Sequence, residues 1–140
     1  MLKVILHTTG KLREPWLQMA LDEYSKRLTG EVTIETHLAK DETALEKTIL
    51  KLDHVTLLDA KGTLITSPEW SQFLYSEWEK RGSILTFAIG GANGFSSQVK
   101  GAFKMLSFSS MTFPHQIARL LFYEQTYRAI QIYKKGKYHK

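Results

Sequence analysis

Apolar and polar positions alternate with two different periods along this chain, and the switches between the periods mark out its elements. Leu2 to His7 is a β-rich apolar run. Gly10 and Pro15 bracket a polar loop, and Pro15 suits the first turn of a helix reaching about Leu28, with Trp16, Met19, Ala20 and Tyr24 at helical spacing. Gly30 stops that helix. Val32, Ile34, Thr36 and Leu38 alternate with Thr33, Glu35 and His37, the period of a strand with one wetter face. Thr43 to Leu52 predicts a short helix with Leu45, Ile49 and Leu52 on one side. Val55 to Leu58 is a brief continuous apolar run, as expected of a central parallel strand.

Ser67-Pro68-Glu69 combines a hydroxyl cap, a proline at the first helical position and an acid near the positive dipole end. The helix it starts reaches about Lys80, with Trp70, Phe73, Leu74 and Trp78 spaced as core. Ile84 to Ile89 predicts a buried strand, Ser97 to about Lys104 a helix, and Met105 to Phe108 a further strand. Pro114 opens the longest helix, to about Tyr133. Strands alternating with helices imply an α/β domain over residues 1–140, with a mostly parallel five- to six-stranded sheet covered on both faces. In the last helix Ile117, Leu120, Leu121, Tyr127 and Ile130 form one stripe. Phe122, Tyr123, Ala129, Ile132 and Tyr133 extend it most of the way round. Burial of the second side by a partner copy predicts a homodimer through this helix; the alternative is that several rings sit exposed.

Composition narrows the class. With 43% hydrophobic and 24% charged residues the chain is an ordinary globular protein, not a disordered one. It has no cysteine, which excludes disulfides and thiolate metal sites and fits a reducing compartment. No apolar run is long enough to span a bilayer, and the opening Met1 to His7 is too short for a signal peptide. The expectation is a cytoplasmic protein.

The formal charge of +5 is concentrated at one end. Met1 to Gln125 holds 14 cations and 14 acids; Thr126 to Lys140 holds Arg128, Lys134, Lys135, Lys137 and Lys140 and no acid. Such an end is either a solvated tail or a phosphate-contacting arm. Tyr138 and His139 favour the arm, since flat rings among cations can stack on bases.

Two turns carry candidate chemistry. Gly90-Gly91-Ala92-Asn93-Gly94 follows a buried strand and precedes a helix, at the sheet end where open parallel sheets bind ligands. It is neither a dinucleotide fingerprint nor a P-loop, and an ordinary strand-to-helix turn remains open. Ser107, Ser109, Ser110 and Thr112 interleave with Phe108, Met111 and Phe113, so they could hydrogen-bond an adenosine while packing its ring; a polar turn leading into the helix is the alternative. No G-x-S-x-G elbow exists, which argues against a serine hydrolase. The histidines lack metal-ligand spacing, so no metal is expected, and His7, His37 and His54 read as strand-end residues.

The stretches Gly90-Gly91-Ala92-Asn93-Gly94-Phe95, Leu106 to Gln116, Glu124-Gln125-Thr126-Tyr127-Arg128-Ala129 and Lys137-Tyr138-His139-Lys140 resemble the signature of the SPOUT-class ribosomal RNA large-subunit methyltransferase H family. Thr9 to Arg13 and Leu57 to Gly62 fit as well, so the likeness covers nearly the whole chain. One departure is a short connection, Lys40 to Thr43, where such proteins usually carry more residues. The resemblance implies a carboxyl-terminal trefoil knot, which periodicity could not show and base rates oppose. It implies that the loops of the knot hold S-adenosylmethionine, with contacts at Leu58, Gly90, Phe108, Ser109, Ser110, Met111, Thr112 and Phe113. It also implies methylation at N3 of a pseudouridine in large-subunit (23S) rRNA on the assembled ribosome.

An imide nitrogen is a poor nucleophile while protonated, so a base or an anion stabiliser is expected. Arg128 and His139 are the candidates for that task, with Tyr138 packing on the base or cofactor. His115 and Glu124 come second: His115 as a helix cap, Glu124 as the partner of a cation. Two other classes use the same features. A non-catalytic ribosome- or RNA-binding module would need the tail without the pocket. A flavodoxin-like binder would place its phosphate loop after the first strand, where His7-Thr8-Thr9-Gly10 is a feeble match.

Overall fold

The computed structural model describes residues 1–10 and 14–140. Lys11 to Arg13 of the amino-terminal motif lie outside the described residues. The elements run β1 (Leu2–Thr9), α1 (Pro15–Arg27), β2 (Val32–Ala39), α2 (Glu42–Ile49), β3 (Thr56–Leu64), α3 (Ser67–Arg81), β4 (Ile84–Ile89), α4 (Ser97–Ala102), β5 (Lys104–Ser107) and α5 (His115–Tyr133). Among the described residues the sheet has five strands, ordered β2-β1-β4-β3-β5 and parallel throughout.

Period-two alternation sends neighbouring side chains of one strand into two cores. Leu85, Phe87 and Ile89 of β4 join Leu17 and Leu21 of α1, Trp70 and Leu74 of α3, and Phe122 of α5. Ala88 points the other way, toward Leu45 and Ile49 of α2 and Val99 of α4. Helices α1, α3 and α5 therefore cover one face, and α2 and α4 the other. Trp70 is the hub of the larger core, with ring centroids 4.9 Å from Phe108, 5.2 Å from Phe87, 5.8 Å from Phe73 and 6.0 Å from Phe122. Each such pair adds about 0.5–1.5 kcal/mol beyond burial. Its indole N–H has no acceptor, which offsets about 1–3 kcal/mol of that gain.

Several details differ from the sequence-based expectation. Trp16 and Met19 are 50% and 72% exposed; the buried stripe of α1 is Leu17 and Leu21, offset by one or two positions. The cap of α3 is Thr66, not Ser67. Thr66 Oγ1 accepts the Glu69 N–H at 3.2 Å, and Glu69 Oε1 accepts the Thr66 N–H at 2.8 Å. Those bonds hold the Glu69 carboxyl below its ordinary range. The Ser67 hydroxyl instead donates to Gln125 Oε1 of α5 at 2.6 Å. The apolar surface round α5 also has an explanation within one chain. Leu120 and Tyr127 pack on the larger core, and the exposed Tyr133 ring stacks on Tyr75 with centroids 3.6 Å apart.

Strand β3 does not stop at Leu58. Both Leu58 and Thr63 align with Leu106 of β5, so residues 59–62 bow out between two grips on the same strand. Within the bow, Gly62 presses on β5: a Cβ there would stand 2.7 Å from the Leu106 carbonyl carbon and 2.8 Å from its nitrogen. No side chain fits that crossing.

Candidate functional site

The middle of β3 and the carboxyl ends of β4 and β5 open into a cleft of about 720 Å³, within the range of roughly 300–1,000 Å³ typical of small-molecule sites. Its walls are the bow after Leu58, the glycine turn after Ile89, and the segment from Ser107 to His115. In the glycine turn the Gly94 N–H donates to the Gly91 carbonyl at 3.0 Å. Gly94 is left-handed at φ +69°, and a Cβ on Gly90 would lie 3.1 Å from the Gly94 carbonyl carbon. Only glycine permits a turn this tight. In the third wall, side chains fold the backbone. Ser107 Oγ donates to the Ser109 carbonyl at 2.6 Å and accepts the Ser109 N–H at 3.2 Å, while Ser109 Oγ accepts the Met111 N–H at 3.0 Å. Leu58, Gly90, Phe108, Ser109, Met111, Thr112 and Phe113 all line the cleft. Ser110 does not. A smaller hollow of about 240 Å³ lies at the opposite strand ends, near His54 and Lys104, and no glycine lines it.

His115 also borders the cleft, as the first residue of α5. The N-cap position belongs to Pro114, which offers no side-chain hydrogen bond; the His115 ring abuts Gly10, where a Cβ would meet Nε2 at 2.6 Å.

Arg128, Tyr138 and His139 gather at the other end of α5. The helix closes with the Lys135 N–H on the Ile132 carbonyl at 3.0 Å and the Gly136 N–H on the Gln131 carbonyl at 2.7 Å, with Lys135 left-handed at φ 57°. This cap folds the tail back along the helix. Arg128 Nη1 then lies 3.0 Å from His139 Nδ1, and the guanidinium sits 4.9 Å over the Tyr138 ring. A guanidinium only donates, so Nδ1 accepts and the ring proton is on Nε2. Glu124 is the centre of the group: it accepts from Arg128 Nη2 at 2.9 Å, the Tyr138 hydroxyl at 2.8 Å and Gln125 Nε2 at 2.8 Å. Its hydrogen bond holds the Arg128 pKa above the ordinary value. Burial, then the bonds to Tyr24 and Glu124, raises that of Tyr138. The spacing of four between Glu124 and Arg128 was the available sign of this pairing.

Leu121 is the last residue of α5 to line the cleft, and Arg128 follows seven residues later, about 10 Å at 1.5 Å per residue. None of Arg128, Tyr138 and His139 lines the cleft, so the two groups stand apart on one chain. The basic end is also partly neutralised, since Lys134 pairs with Glu31 at 2.6 Å and Arg128 with Glu124. Among the described residues Lys135, Lys137 and Lys140 have no carboxylate partner within 4.0 Å.

A parallel sheet with a cleft walled by three turns, each following a strand segment, is the architecture of a ligand-binding α/β protein. The family model described as "Predicted SPOUT methyltransferase" matches residues 2–139, and the chain belongs to that family. More particularly, it is 42% identical over 140 residues to the ribosomal RNA large subunit methyltransferase H of Protochlamydia amoebophila (strain UWE25), covering 100% of both chains. It is 38% identical over 159 positions to ribosomal RNA large subunit methyltransferase H 1 of Clostridium perfringens (strain SM101 / Type A), covering 99% of this chain and 100% of that one. The solved structure of a probable methylase family protein from Haemophilus influenzae Rd KW20 shares the fold, at a TM-score of 0.57 and 14% identity over 99% of this chain and 70% of that one.

The SPOUT fold carries a carboxyl-terminal trefoil knot. The methyl donor of the family is S-adenosylmethionine. The cleft suits it: the glycines after Ile89 let a ligand approach the backbone closely, while Leu58, Ile89, Phe108 and Leu121 offer apolar walls for a ring.

Proposed function

We propose that this chain works as one SPOUT domain over residues 1–140 and methylates N3 of a pseudouridine in 23S rRNA, on the assembled ribosome, in the cytoplasm. The relatives named as large-subunit ribosomal RNA methyltransferases support the choice of RNA. The observation that carries the chemistry is the Arg128–His139 contact at 3.0 Å, organised by Glu124.

When bound, the donor supplies a methyl group already activated on a sulfonium. Leu58, Gly90, Phe108, Ser109, Met111, Thr112 and Phe113 would hold it and exclude water. Negative charge develops on the pseudouridine ring as its N3 proton passes to solvent water and the ring nitrogen takes the methyl group. The Arg128 cation and the Nε2–H of His139 are suited to stabilise that charge. Since Nδ1 is engaged by Arg128, His139 acts here as a donor, not as the base. Glu124 keeps Arg128 aimed, and Tyr138 offers a ring face.

Because Arg128, Tyr138 and His139 line no part of the cleft, we infer a homodimer in which one copy's tail meets the other's cleft. Trp16 and Met19 of α1, left bare on the monomer, are candidates for its interface. Mixing a chain lacking Lys137 to Lys140 with a Gly90→Arg chain should restore activity in the heterodimer; absence of rescue would refute the shared site. The decisive experiment offers labelled donor to whole ribosomes, separated subunits and naked rRNA, then maps the modified nucleoside. Label at pseudouridine N3 in whole ribosomes is expected. Label on another nucleoside, or a preference for naked rRNA, would overturn the assignment.

A further inference from the structure

The glycine turn is held from behind. Helix α2 is seated on the smaller core by Leu45 and Ile49, and it directs Glu42 and Glu46, one turn apart, at residues 91–96. Glu42 Oε1 accepts the Asn93 backbone N–H at 3.1 Å and Glu42 Oε2 the Asn93 side-chain amide at 3.4 Å. Glu46 Oε2 accepts the Ser96 N–H at 2.7 Å. The contact is also steric: a Cβ on Gly91 would lie 2.9 Å from Glu42 Cγ and 3.0 Å from Cδ. Glycine loses more backbone freedom on ordering than any other residue, so a turn this rich in it has little intrinsic reason to keep one shape. The two carboxylates supply that reason, and they lie on an element that contributes no residue to the cleft.

We infer that Glu42 and Glu46 are positioning residues for the cofactor: α2 presets the glycine turn in its donor-binding shape, so that this helix governs donor affinity without touching the donor. The inference rests on the cleft being the donor site. Preorganisation of a binding loop raises affinity and leaves the chemical step alone. Replacing Glu42→Ala should therefore raise KM and the donor dissociation constant at least about tenfold, with kcat at saturating donor within about threefold. Glu42→Gln, which keeps an acceptor for the Asn93 N–H, should stay within about threefold of wild type in all three.

The steric contact gives an independent test. Gly91→Ala should weaken donor binding in the wild-type background, and should cost much less in Glu42→Ala, where the clashing side chain is gone. Calorimetry with S-adenosylmethionine reads each affinity, and thermal melting confirms that each variant is folded. Unchanged donor affinity in Glu42→Ala, or an equal Gly91→Ala penalty in both backgrounds, would overturn the inference while leaving the cleft in place. Normal donor binding by Gly90→Arg would instead remove the cleft assignment, and the inference with it.

Discussion

The two ends of α5 are built for recognition by opposite means. At its start, the cleft is made of backbone turns and apolar walls, with glycines where other residues would collide. At its end, side chains make the site: Arg128, Glu124, Tyr138 and His139 form a closed set of charge-assisted bonds. The first end can shape itself to a small molecule of fixed structure. The second can answer charge that develops during a reaction, and lysines beside it can meet phosphates. Both groups sit on one helix, yet Arg128, Tyr138 and His139 line no part of the cleft.

Four perturbations would sharpen or break this contrast. Gly90→Arg puts a long side chain into the tightest part of the turn and should weaken donor binding by about 100-fold or more, near 2.8 kcal/mol, with ribosome binding intact. Titration calorimetry and cosedimentation would check the two halves of that statement. Arg128→Ala should cut kcat by about 10²–10³ while donor affinity stays within about twofold, because it removes anion stabilisation and nothing in the cleft. A large loss of donor affinity in that variant would show that the ends are not separate in function. Trp70→Ala empties the hub that ties α3 and α5 to Phe108 of the cleft. It should cost about 3–5 kcal/mol and lower Tm by roughly 10 °C or more, with donor affinity falling too.

The smallest effect concerns pH. His7 is buried against His37, with ring centroids 4.9 Å apart. Burial first, and then His37, hold its pKa below the ordinary 6.5, against the pull of Glu35. The unfolded chain therefore takes up a proton before the folded one does. The stability that His7 contributes is present above pH 6.5 and is lost as pH falls below it. His7→Asn should flatten that decline in denaturant melts between pH 7.5 and 5.5, while the contrast between the ends of α5 is left untouched; an unaltered slope would assign it to other groups.

Much of the fold was legible because its signals are local. Pro15 and the segment after Thr66 start helices by backbone chemistry, and the apolar run from Leu85 to Ile89 has the length and residue types of an inner strand. The glycine and hydroxyl turns were visible because turns are written in residue types that tolerate unusual backbone or bond to it. What failed was local ambiguity. Thr66 and Ser67 are adjacent hydroxyls, and only the hydrogen bond decides which one caps. Trp16 and Leu17 both keep helical spacing, and which of them turns inward depends on where the helix lies on the sheet. The extension of β3 was hidden by Gly62, which resembles a breaker yet is needed because another strand passes against it. Glu42 and Glu46 looked like ordinary exposed acids, since nothing nearby in sequence hints that a turn fifty residues on would need them.

By itself, the chain order of apolar, glycine and hydroxyl residues determined the alternating elements, the cleft-lining turns and the basic end, because each depends on interactions within a few residues. Tertiary structure alone decided the strand order, the double grip of β3 on β5, the clamp by α2, and the separation of the Arg128 group from the cleft. Those depend on which distant segments meet, and contact between distant segments is settled by the summed packing of the whole sheet, not by any one stretch of it.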